Sequence, residues 1–186
     1  MDLFDRVRGV ALRELQVRWI VVGFLLFASA AAMAASAKMK KHADKERHFV
    51  IKYPPDWKRN REGKDFAVQL VSPDDTSQLG IMIQNLAEVA PAAAILDATE
   101  KSLGVANKVN AKDRTVKKAR LKKVGADDGV TGAYSMGEQD APVDQRIFVF
   151  VKGKRAYVLL ETTLRDDDGP ARKKVVDKML DSFRIK

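Results

Sequence analysis

Carboxylates are the residues of this chain whose spacing comes nearest to chemistry, and the densest run of them is Asp166-Asp167-Asp168. Consecutive aspartates offer the oxygen ligands that Ca²⁺ prefers. An EF-type loop, however, needs carboxylates at alternate positions and a distal glutamate, and that pattern is missing here. A helix start explains the run better. Gly169-Pro170 follows, proline fits the first helical position, and negative charge is favoured where the helix dipole is positive. Asp166, Asp167 and Asp168 therefore stand as weak metal candidates, and no cofactor is expected. Asp127-Asp128, ahead of Gly129, reads as a turn. Glu138, Asp140 and Asp144 share the polar stretch Gly137–Gln145. Solvent there would keep their acidities alike, whereas acid–base catalysis needs a pair whose pKa values burial has separated.

The other reactive residue types are sparse. His42 and His48 are the only histidines, so no HExxH motif exists, and both read as surface or strand-edge residues. Ser77, Ser102 and Ser135 lack a GxSxG elbow, and neither histidine is placed as a general base. Cysteine is absent. That removes disulfides, thiolate metal sites, cysteine nucleophiles and anchoring through a lipidated cysteine. The expectation is a protein that is not an enzyme and has no catalytic residue.

The elements that would position any site are organised around Arg146–Leu164. Two apolar, β-branched and aromatic runs, Ile147–Val151 and Ala156–Leu164, flank the corner Lys152-Gly153-Lys154-Arg155. Gly153 suits the first central position of a type II′ turn. Since both runs are apolar at nearly every position, these strands belong in the middle of a sheet covered on both faces. Earlier strands are expected at His48–Tyr53, Phe66–Val71 and Leu79–Leu86, forming a meander. Pro91 opens a helix with Ile95, Leu96, Thr99 and Leu103 on one stripe, stopped by Gly104. Lys117–Val124 and Val130–Met136 pair through an Asp-Gly turn, with a polar loop over Val105–Val116 before them. In the final helix Val175, Val176, Met179, Leu180 and Phe183 share one face. The fold class is α+β: an antiparallel sheet of about six to seven strands flanked by helices, preceded by an N-terminal hydrophobic helix.

That hydrophobic helix divides the chain into residues 1–37, a polar tether at 38–47 and a single domain at 48–186. Trp19–Ala37 is uncharged, strongly apolar as far as Phe27 and then rich in alanine and serine. Arg13 and Arg18 precede it, and Ala32-Met33-Ala34 and Ala35-Ser36-Ala37 have the small-x-small form of a cleavage site. A signal peptide fits this gradient; an uncleaved inner-membrane anchor needs only about 20 apolar residues and fits the length. Either places Lys38–Lys186 outside the cytoplasm, periplasmic or secreted, with membrane contact through 19–37 if it is uncleaved. The net charge of +9 would suit a polyanion. Acidic residues are interspersed among the basic ones and no basic run carries stacking aromatics, so nucleic acid is not expected.

Three stretches carry a family resemblance: Phe49–Trp57 (FVIKYPPDW), Ser72-Pro73-Asp74, and Asp177–Ile185 (DKMLDSFRI). In their order they resemble the PsbP-like fold, shared by the photosystem subunit PsbP, DcrB-like bacterial periplasmic and lipoprotein domains, and a nuclear factor that binds the Ran GTPase. The resemblance spans Phe49–Ile185. It implies an antiparallel sheet between helices and a binding or assembly role; no family metal site can be matched to residues here. The expected function is a non-enzymatic, extracytoplasmic binding or assembly module engaging a protein or membrane-associated complex. Its partner surface is expected on two loops, through Trp57, Arg59 and Arg61 and through Glu138, Asp140 and Asp144. The alternative is a membrane-tethered protein with a divalent-metal-dependent or enzymatic role using surface carboxylates.

Overall fold

The structure, a computed structural model, describes residues 38–60, 66–103, 115–118, 121–136 and 142–186. In chain order the strands and helices are β1 (Lys40–Asp44), β2 (Phe49–Tyr53), β3 (Lys58–Asn60), β4 (Val68–Val71), β5 (Ser77–Asn85), α1 (Ala92–Ser102), β6 (Thr115–Lys118), α2 (Leu121–Val124), β7 (Asp128–Met136), β8 (Val143–Lys152), β9 (Arg155–Leu164), α3 (Gly169–Ser182) and β10 (Arg184–Ile185). The hydrophobic segment expected within 1–37 lies outside the described residues. Among those described, no helix is long and apolar enough to cross a membrane.

The predicted central hairpin is present. Lys152 pairs with Arg155 across a two-residue loop, and the register runs unbroken to Val143 opposite Leu164. Gly153 sits at φ 55 while Lys154 stays out of the left-handed region, which excludes a type I′ turn and fits type II′. The hairpin lies within a seven-stranded antiparallel sheet of order β3-β4-β5-β9-β8-β7-β6. Alternation splits its side chains between two cores. Ile147, Val149, Val151, Ala156 and Val158 meet Ala92, Ile95 and Leu96 of α1. Phe150, Tyr157 and Leu159 meet Val176 and Met179 of α3, together with Phe183. Each such side chain, fully buried, contributes about 1.5–3 kcal/mol, so the two helices serve as the covers the apolar runs required.

Phe183 ties the second core together. Its ring centroid lies 5.9 Å from Phe49, 5.9 Å from Phe150 and 6.1 Å from Tyr157, joining β2, β8 and β9 to the end of α3. On the other face, Tyr134 crosses Gly132, where a Cβ would collide with its ring, and its hydroxyl donates to Glu100 on α1. α1 begins one residue after Pro91, and its first N–H, from Ala92, donates to Asp128 Oδ2 at 2.7 Å. Asp127 Oδ2 in turn accepts from the Gly153 N–H at 2.8 Å. The Asp127-Asp128 pair thus works as long-range caps for a helix and a hairpin.

Four expectations are corrected. The tether Lys38–Arg47 contains β1, which pairs along its length with β2, Lys40 opposite Tyr53 and Asp44 opposite Phe49. KKHAD shows no apolar face because an edge strand is held by backbone pairing. The strand at His48–Tyr53 is not the first of the meander; β2 sits in a separate three-stranded sheet of order β1-β2-β10, closed by the chain's C-terminal residues. Lys58–Asn60, read within a loop, is an edge strand on β4. Finally, of the expected strand Lys117–Val124, Lys117 and Lys118 pair with β7 as the end of β6, whereas Leu121–Val124 makes a single helical turn, with Gly125 at φ 80 just past its end.

Candidate functional site

One face of the large sheet, the one under α3, carries the groups with shifted acidity on β8 and β9 and the cationic side chains at their turn. Counting outward from the β8–β9 turn, the rows on this face read Lys152 and Arg155 with Asn85, then Phe150 and Tyr157 with Ile83, then Phe148 and Leu159 with Ile81. Beyond them come Arg146 and Glu161 with Leu79, and Asp144 and Thr163 with Ser77. The same face is therefore charged at both ends and apolar in the middle.

At the end far from the turn the charges are opposite and closed in. Arg146 Nε donates to Glu161 Oε2, and Arg146 Nη1 donates to Asp177 Oδ1 on α3 at 2.7 Å. The guanidinium also lies 5.4 Å from the centroid of Phe148. Thr163 Oγ1 donates to Glu161 Oε1 at 3.4 Å, and Ser77 Oγ to Thr163 Oγ1 at 3.2 Å. Burial pushes the Glu161 carboxyl up despite the Arg146 charge beside it, since one guanidinium serves two carboxylates. Arg146, which burial alone would push down, is held above its ordinary value by Glu161 and Asp177. A raised carboxyl beside a cation is a recognised mark of an active site. Here Glu161 is 2% exposed, so no substrate reaches it, and the cluster acts as a lock between sheet and helix.

The surface residues expected from sequence do not converge. Trp57 is a correction: it is 7% exposed and packs in the core with Leu70 and Phe49, because the Trp57 N–H to Pro54 carbonyl bond folds the Pro-Pro turn inward. Arg59, half-buried on β3, has Nη1 3.2 Å from His42 Nδ1. Asp144 lies on β8, accepting from Ser135 at 3.2 Å and from Arg165 Nη2 at 2.8 Å. β3 and β8 stand four strand positions apart in the sheet, about 19 Å at the usual spacing, so Arg59 and Asp144 do not share a surface. Arg61, Glu138 and Asp140 lie outside the described residues. In the acidic run, Asp166 receives Arg172 and the Asp168 N–H, so a guanidinium occupies the place a cation would need. Among the described residues no group of three or more His, Asp or Glu side chains is arranged to hold a metal.

At the turn end of the face the charges are alike and open. A pocket of about 390 Å³ is lined by His48, Lys152, Lys154, Arg155, Tyr157 and Lys186, with Asn85 and Leu86 completing the wall. It forms where the end of the small sheet meets the tip of the β8–β9 hairpin: the Lys186 N–H donates to the His48 carbonyl at 2.8 Å, and the Tyr157 hydroxyl to the Arg47 carbonyl at 3.0 Å. Two cations are partly fixed, Lys154 Nζ on the Ala87 carbonyl at 2.9 Å and Arg155 Nε on Asn85 Oδ1 at 3.3 Å. No aspartate or glutamate is among the lining residues. In the sequence these cations had read only as a turn. Counting outward from the two-residue loop would have set Lys152 opposite Arg155 and Arg146 opposite Glu161; no sequence signal could have brought His48 and Lys186 alongside.

No protein-family model matches the sequence, and no curated protein matches it. Solved structures do. Cyanobacterial PsbP (CyanoP) from Synechocystis sp. PCC 6803 superposes with TM-score 0.55 at 13% identity, covering 87% of this chain and 99% of that one. The Saccharomyces cerevisiae Ran-binding protein Mog1p gives 0.53 at 9% identity, covering 81% and 96%. LpqN of Mycobacterium tuberculosis, described as involved in cell envelope biogenesis, gives 0.53 at 14%, covering 80% and 91%. The fold is the PsbP/Mog1p-like fold, as the resemblance implied, and at these identities the likeness shows the fold alone.

Proposed function

We propose that this chain is a non-enzymatic binding or assembly module that works outside the cytoplasm. The observation that carries it is the division of labour on the α3 face. Among the described residues the carboxyl with a raised pKa, that of Glu161, is sealed beneath a helix in an ion-paired lock, whereas the open concavity is lined mainly by lysines and an arginine, with His48 and Tyr157 and no aspartate or glutamate. A lining dominated by cations suits retention of an anionic ligand. The extracytoplasmic part rests on the uncharged Trp19–Ala37 stretch followed by small-x-small sites. The likeness to Mog1p, described as Ran-binding, accords with a binding role, and that to LpqN, described as involved in cell envelope biogenesis, with a place at the envelope.

Two measurements test it. The intact mass of the mature protein should correspond to cleavage after Ala34 or Ala37, or to an uncleaved chain that fractionates with membranes and exposes Lys38–Lys186 to external protease. A chain protected inside the cytoplasm refutes the localisation. Affinity capture from a membrane extract should recover a stoichiometric partner, and repeated clean failure refutes the module.

A further inference from the structure

We propose that the pocket at the β8–β9 turn is a binding site for a phosphate-type oxyanion, free or as a phosphomonoester. The inference rests on the preceding one in taking the pocket as a site of retention rather than turnover, and it names the ligand class.

The first observation is the closing pair of the hairpin. Lys152 and Arg155 stand directly opposite each other on one face, and like charges in that relation destabilise a hairpin. Other turns in the molecule are closed differently; Asp44 and Arg47, for example, make an ion pair at 3.0 Å across the β1–β2 connection. At the β8–β9 turn the repulsion is left in place. An anion seated between the two side chains converts it into attraction.

The second observation is that another element brings a histidine and a lysine to the same place. His48, in the left-handed region at φ 57, and Lys186 are brought to the same pocket from the end of the small sheet. Non-glycine residues adopt that backbone conformation at a cost, and such strain collects at ligand clamps. Among the described residues the ammonium groups of Lys152 and Lys186 have neither a hydrogen-bond nor an ion-pair partner.

The third is shape. The concavity, about 390 Å³, falls in the lower part of the range for small-molecule sites. Its floor is the buried ring of Tyr157 with half-buried Leu86, and its rim is cationic. A compact dianion with a small organic group matches both. Arg155 presents its remaining guanidinium N–H groups in the planar fork suited to phosphate, and the lysines act as point charges around it.

The test is calorimetric titration of the full chain, in non-ionic detergent, with inorganic phosphate. Short-chain phosphatidic acid and short-chain phosphatidylcholine serve as the lipid arms. Saturable phosphate binding is expected, weakening as NaCl rises, and at least tenfold weaker in Lys152→Ala and in Lys152→Glu. Lys174→Ala, on the outer side of α3, should bind as the parent does. Both Lys152 variants should melt at or above the parent's temperature without ligand, since they remove repulsion; phosphate should raise the melting temperature of the parent and of Lys174→Ala more than that of either Lys152 variant. Binding of phosphatidic acid alone, lost in the same variants, makes a lipid headgroup the source of the oxyanion. Absence of binding in all arms, or equal binding by Lys152→Glu, overturns the site. Hydrolysis of p-nitrophenyl phosphate separates the two proposals: turnover refutes the non-enzymatic reading and leaves the oxyanion site standing.

Discussion

The two ends of the α3-covered face both place a charged pair opposite each other across β8 and β9, and do opposite things with it. At one end Arg146 stands opposite Glu161 and reaches Asp177 on the helix above, so the cation is paired and Glu161 is buried. At the other, Lys152 stands opposite Arg155, with Lys154, His48 and Lys186 around them and no aspartate or glutamate in the lining. Neutralisation permits burial, and burial ends access. Uncompensated charge must stay wet, and staying wet keeps the site open. The aromatic block of Phe49, Phe150, Tyr157 and Phe183 lies between the ends.

The largest expected effect breaks the closed end. Arg146→Ala strands the buried Glu161 and should cost about 3–5 kcal/mol in urea unfolding, whereas the double change Arg146→Met with Glu161→Leu should cost much less. A single-variant loss below about 1 kcal/mol would mean the lock is ornamental.

The pH dependence comes next. The folded Glu161 carboxyl is raised by burial, so the native state holds its proton at pH values where the unfolded chain has released it. Stability should therefore be higher below the ordinary carboxylate range and fall as pH rises through the raised folded value. Glu161→Gln should flatten that part of the curve. Asp44 and Asp74 act in reverse. Burial raises them, but hydrogen bonds from Arg47, and from Ser72 and Thr76, more than offset it, so their stabilisation is lost as pH falls through their lowered values. Thermal melts from acid to neutral pH, with and without the Gln substitution, resolve the two trends.

At the open end the effects are smaller. Gly153→Ala forces a side chain into the left-handed region at φ 55, a cost of about 1–2 kcal/mol, read by chemical denaturation. Smallest is Lys152→Glu, which replaces a like-charged cross-strand pair by an opposite one and should stabilise by about 0.2–1 kcal/mol. A variant that gains stability while losing phosphate separates the two ends: the closed one serves the fold, the open one serves a ligand.

Much of this was legible beforehand for reasons that can be named. A continuous apolar run on each side of Gly153 meant a hairpin buried on both faces, and the amphipathic stripes of Ala92–Ser102 and Gly169–Ser182 meant helices to cover it. The candidate surface was not legible. Trp57, following a turn, reads both as a cap on the core edge and as part of a partner surface, and its burial leaves only the first role. Lys40–Asp44 looked like tether because backbone pairing leaves no mark in side-chain pattern. Asp127 and Asp128 looked like a local turn, and their partners are Gly153 and Ala92.

The sequence by itself determined the hairpin, its register and hence the opposition of Lys152 to Arg155 and of Arg146 to Glu161, since a two-residue turn leaves the pairing no freedom. Tertiary structure alone decided which opposition was sealed and which was exposed. α3 lies over Glu161 and supplies Asp177, while the small sheet brings His48 and Lys186 to the turn. Those are contacts between segments far apart in the chain, set by how helix and sheets pack, and no local pattern encodes them.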